Sequence, residues 1–99
     1  MLTELPTEVQ VALAPLASTL NASHLLPSTW EFSPESFGNF VATFRSSDHM
    51  VSITRDRNQF IVGGADRDEL EAAGLWRAFD TAHDLLPYLA KWLGQRDGA

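Results

Sequence analysis

His24, His49 and His83 are the side chains of this chain best suited to moving a proton near neutral pH. The first falls in a connection, the second in a turn and the third at a helix start, and nothing in their spacing makes them converge on a nucleophile. Asp48-His49 and His83-Asp84 are neighbours along the chain, which does not create the facing geometry of an acid–base dyad. Ser36 and Ser47 lack the glycine frame of a nucleophile elbow, and no phosphate loop or dinucleotide fingerprint is present. Asp66, Asp68, Glu69 and Glu71 crowd one segment, DRDELE. A calcium loop needs an oxygen where Leu70 stands, has no place for Arg67, and needs a glycine at its turn. These acids instead suit a helix start, where they complement the dipole. The chain holds no cysteine, so thiolate metal sites and disulfides are excluded. The expectation is a non-enzyme with no catalytic residue, cofactor or metal.

The elements that would hold any site are plainer. Phe40, Ala42 and Phe44 alternate with Val41, Thr43 and Arg45, and Val51, Ile53 and Arg55 alternate with Met50, Ser52 and Thr54. That period of two predicts half-buried strands, and the stretch from Phe37 to Gly64 reads as three antiparallel strands joined by two turns. The first turn is Ser46 to His49. The second is a three-residue hairpin, a type I turn over Asp56 and Arg57 followed by a left-handed Asn58.

Leu2, Leu5, Val9, Leu13, Leu16 and Leu20 recur at helical spacing, predicting an amphipathic helix over 3–20 with Thr3 as cap and a kink near Val11 to Pro15. Residues 22–39 form a connection in which Thr29 to Phe32 can pair as an additional edge strand. Asp66 caps a short helix over Arg67 to Ala73 that Gly74 ends, and Leu75 to Phe79 returns to alternation as a last strand. A final helix opens at Thr81 or Asp84 and closes at Gly94, with Gln95 to Ala99 frayed.

The expected fold is one α+β domain over residues 1–99. An N-terminal helix, a four- or five-stranded antiparallel meander and a C-terminal helix make it up, with both helices on one sheet face. Leu13, Leu16, Phe40, Phe44, Val51, Ile53, Phe60, Leu75, Phe79, Leu86, Leu89 and Leu93 are the predicted interior. Other aromatics, including Trp30, Phe37 and Trp92, also read as core, because no basic groove accompanies them as a base-stacking platform requires.

Thirteen acidic residues against seven basic give a formal charge of −6, and residues 1–44 hold Glu4, Glu8, Glu31 and Glu35 with no Lys or Arg. Such a surface repels nucleic acid and speeds encounter with basic partners. Residues 1–20 lack the basic start and apolar run of a leader or membrane span, so a soluble, cytoplasmic chain is expected.

Several short motifs carry a resemblance. FGNFV opens a strand, RDRNQF spans a hairpin, and a Trp-bearing segment precedes a Leu-rich helix. In that order, over about residues 37–93, they resemble the small immunity-protein-like domains that accompany bacterial polymorphic toxins; Asn58 stands where many such sequences have glycine. The resemblance implies a bacterial cytoplasmic protein that neutralises a toxin by binding it, and it brings no catalytic residues. A structural or regulatory homodimerisation module is the alternative, and a small-molecule binder or enzyme without a recognisable signature is third. The partner is expected to be a protein, such as a basic toxin domain. Its contact surface is expected on the sheet face away from the helices, with Val41, Thr43, Ser52, Thr54, Ile61 and Trp76 flanked by Asp66, Asp68 and Glu69.

Overall fold

The computed structural model describes residues 2–36, 38–47 and 49–97, with side chains as far as Gln95. Expectations that fall on Phe37, Asp48, Gly98 and Ala99 lie outside the described residues.

The N-terminal apolar stripe forms a broken helix. A 3-10 turn, Leu2–Glu4, leads into α1, Thr7–Leu13; a second 3-10 turn, Ala14–Leu16, leads into α2, Ala17–Ala22. Pro15 is the cause of the break, since it cannot donate to the preceding turn. Thr3 lies inside the first 3-10 turn, and the residue preceding α1 is Pro6, which offers no side-chain cap. Beyond α2, His24 takes a left-handed φ of 58° while Leu25 N–H donates to the Leu20 carbonyl at 3.0 Å. This is the Schellman stop that usually employs glycine.

Four strands follow in meander order: β1 Leu26–Ser33, β2 Asn39–Arg45, β3 Met50–Asp56 and β4 Gln59–Gly63, each antiparallel to the next. The edge pairing available to Thr29 to Phe32 is thus realised and extended, with a register shift between Pro27 and Thr29. The β3–β4 connection departs from the three-residue expectation. Asp56 pairs with Gln59, and both residues between them, Arg57 and Asn58, have positive φ, 53° and 67°. That is a two-residue type I′ turn, whose twist matches that of the strands it joins.

The last predicted strand is also corrected. Only Phe79 reaches β4, exchanging two backbone bonds with Phe60 at 2.7 and 2.8 Å. Upstream, Arg77 N–H donates to the Leu75 carbonyl at 2.9 Å, closing a tight turn at Trp76 that lifts the chain off the ladder. The alternation of Leu75 and Phe79 with exposed neighbours therefore comes from two buried anchors on a bent segment.

Helix α3, Arg67–Ala72, is capped by Asp66, whose Oδ1 accepts from Glu69 N–H at 2.9 Å, and ends in a second Schellman stop at Gly74, φ 76°. Helix α4, Ala82–Asp97, opens with Thr81 Oγ1 accepting from Asp84 N–H at 3.1 Å. It contains Pro87 and continues through Gly94 to Asp97, beyond the expected stop. Gly94 faces open space, so its cost there is only the lost backbone entropy of a helical glycine.

The core lies between the helices and the sheet face carrying Phe40, Ala42, Phe44, Val51, Ile53, Phe60 and Val62. Eleven of the twelve predicted interior residues are buried in it, and Leu86 packs half-buried at its margin.

Candidate functional site

Strand register sorts the side chains. Because Cα partners share a face, the rows Trp30–Ala42–Ile53–Val62 and Phe32–Phe40–Arg55–Phe60 belong to the covered side. The intervening rows, Thr29–Thr43–Ser52–Gly63 and Glu31–Val41–Thr54–Ile61, belong to the open side. Val41, Thr43, Ser52, Thr54 and Ile61 are therefore brought together on one face, two apolar residues separated by Thr54 along a single cross-strand row.

Val41 is 38% and Ile61 43% exposed, while the threonines and Ser52 are half-buried between them. Trp76, 49% exposed, joins from off the sheet: it lines a shallow depression with Ile61 and Val62 beside the β4 margin. Its ring is held by the Arg67 guanidinium, 5.1 Å from the centroid, which is itself paired to Glu71 at 2.7 Å. The surface has small residues flush with the sheet, two larger apolar groups standing above it and a third, Trp76, at its β4 margin. Gly63 fits that relief, because a Cβ there would lie 2.5 Å from Ser52 Oγ.

The three flanking acids occupy a different setting from the face. Asp66 is the N-cap of α3. Glu69 reaches the other way, its Oε2 accepting from the indole N–H of buried Trp92 at 2.7 Å and so tying α3 to α4. Asp68 is exposed in the first turn of α3. Two of the three carboxylates thus have structural partners, and what they add beside the open face is a negative field.

Sequence reasoning missed charges that do lie on the open face. By register these are Glu31 beside Val41, Arg45 at the far end, and Asp56 at the hairpin end. Asn39 holds the last of these in place: its Nδ2 donates to Asp56 Oδ1 at 3.3 Å, and its Oδ1 accepts from Arg57 N–H at 3.0 Å. The signal was available in the phase of the alternation, since Glu31 and Asp56 keep step with Val41 and Thr54 once the strands are aligned.

The histidines do not assemble. His24 is the left-handed stop of α2, His49 closes the β2–β3 turn by donating its N–H to Ser46 Oγ at 3.0 Å, and His83 is exposed in the first turn of α4. Among the described residues, no group of three or more His, Cys, Asp or Glu side chains is placed to hold a metal ion. No helix among them is long and apolar enough to cross a membrane. No protein-family model matches this chain, and no curated protein or solved structure does.

Proposed function

We propose that this chain is a protein-binding module of the toxin-neutralising, immunity type, which blocks a basic partner by docking the open sheet face on it. The observation that carries this reading is the apolar relief of that face: Val41 and Ile61 stand exposed among Thr43, Ser52 and Thr54, with exposed Trp76 next to Ile61 at the β4 margin. A sheet face that serves only as a solvated exterior alternates to charged and strongly polar residues, whereas a docking face keeps its centre uncharged and its charges at the rim. Here the rim carries Glu31, Asp56 and Arg45. The chain as a whole, with a net charge of −6, favours fast encounter with a basic surface.

The test is co-purification with the product of the adjacent gene. The expected result is a one-to-one complex whose association rate falls as salt is raised. Failure to bind at both low and moderate salt sinks the reading, and a stable dimer of this chain alone that occludes the same face replaces it with homodimerisation.

A further inference from the structure

A second surface follows from the direction of the sheet's hydrogen bonds. Phe60 exchanges both backbone bonds with Phe79, so the covered-face residues of β4 point their N–H and C=O groups away from β3. The two-residue turn agrees, because it makes Asp56 and Gln59 a bonded pair and Arg55 and Phe60 a non-bonded one. The alternation propagates across the meander. Arg55 and Ile53 bond to Phe40 and Ala42 of β2, and the same groups of β2 are then turned away from β1. Phe32 and Trp30, the Cα partners of Phe40 and Ala42, consequently direct their N–H and C=O groups outward, past the last strand of the sheet. Pro27 obeys the same phase, lacking an N–H where none is needed.

This edge is blunted at one end only. The register shift and Pro27 protect its start, and the N-terminal 3-10 turn also packs near this strand. From Thr29 to Ser33 there is no proline, lysine or bulge, and Glu31 is the one charge that guards the edge. Trp30 is 40% exposed although it shares the covered face with Ala42. No backbone bond to Trp30 or Phe32 from beyond the sheet occurs among the described residues.

We propose that the Thr29–Ser33 edge of β1 takes up an extended segment of a basic partner as a fifth strand. The segment would be antiparallel, place apolar residues beside Trp30 and Phe32 on the covered side, and set a Lys or Arg against Glu31 on the open side. Charge decides the occupant. Pairing this edge with a second copy so that Trp30 meets the copy's Phe32 sets Glu31 directly against Glu31, a like-charge pair across strands. Two other registers are in phase: Trp30 against Trp30 runs Phe32 into the shifted Pro27–Thr29 stretch, and Phe32 against Phe32 sets Trp30 against Pro34, which lies beyond the strand and has no N–H to donate. Glu31 is the only charge on β1, so a basic residue across from it meets no repulsion. This edge is distinct from the open face, and its test requires no natural partner.

The probe is a blocked seven-residue peptide of alternating Val and Lys, titrated into the ¹⁵N-labelled full chain, with an alternating Val and Glu peptide as its counterpart. The expected result is amide shifts centred on Trp30 and Phe32 with the Lys peptide, and about tenfold weaker binding of the Glu peptide. Glu31→Lys reverses that preference. Trp30→Pro removes the outward N–H together with the indole and abolishes the response with the β3–β4 amides unmoved, while Trp30→Ala, which loses the indole and keeps the N–H, retains it. Shifts scattered over the acidic surface, equal binding of the two peptides, an unreversed preference in Glu31→Lys, or self-association through Trp30 without peptide would each overturn the proposal.

Discussion

Among the described residues, three non-glycine residues hold backbone conformations that L side chains resist: His24, Arg57 and Asn58, with φ of 58°, 53° and 67°. The two Schellman stops make an internal comparison, since Gly74 fills in the second the position that His24 fills in the first. His24→Gly is expected to raise stability by about 0.5–1 kcal/mol, the left-handed strain relieved less the extra freedom of glycine in the unfolded chain. At the hairpin, Arg57→Gly gains by the same argument, and Asn58→Val loses about 1–2 kcal/mol because a β-branched residue is forced to positive φ. Urea denaturation of these three variants and of Asn58→Gly checks both; equal tolerance of glycine and valine at position 58 would remove the type I′ assignment. Glu69 belongs to this scale too. Glu69→Ala removes the carboxylate that accepts from the indole N–H of buried Trp92, a charge-assisted bond whose loss costs about 1–3 kcal/mol. Charge reversal there would therefore confuse folding with binding, and Asp68, exposed in the α3 first turn, is the acid on which a field effect can be read cleanly.

Elements were legible where one physical cause dominated. Strands β2 to β4 showed in the alternation because each has one buried face, and truncation of Phe44 to Ala, fully buried at the centre of that face, is expected to cost about 3–5 kcal/mol. A loss below about 1 kcal/mol would mean that the faces are reversed. The open face followed from the same alternation, so five of its residues could be named in advance. Two causes competed elsewhere. Leu75 and Phe79 are both buried, but a turn at Trp76, not a ladder, spaces them, and periodicity cannot distinguish a strand from a bent segment with two anchors. Gly94 carried a stop signal, but it lies within α4, which runs on to Asp97. In a helix that Leu89, Trp92 and Leu93 anchor to the core, a glycine weakens the last turns without ending them. Gly94→Ala should accordingly stabilise the chain by about 0.5–1 kcal/mol, having no atom in its way. A destabilised variant would show that the helix does end there.

At the scale of the molecule, the layering decides which surface is free to bind. The helices and the 75–79 segment cover one side of a single sheet, so large side chains on the other side gain nothing from the core; Val41 and Ile61 remain exposed across from each other with only Thr54 between. Folding and docking are consequently separable. Thr43 and Thr54 point away from the interior, and their replacement by arginine changes neither the covered face nor any strand bond. Thr43→Arg and Thr54→Arg should each leave the circular dichroism spectrum and thermal midpoint close to those of the parent. Against a basic partner they introduce both bulk and like charge at the centre of the contact, where truncation and repulsion are most costly. Affinity in a calorimetric titration should fall by about a hundredfold or more, chiefly through faster dissociation. Asp68→Lys, at a distance, should slow association and flatten its salt dependence while leaving dissociation nearly unchanged. Arginine variants that fold and bind like the parent would move the docking surface off this face, whatever the Asp68 variant does.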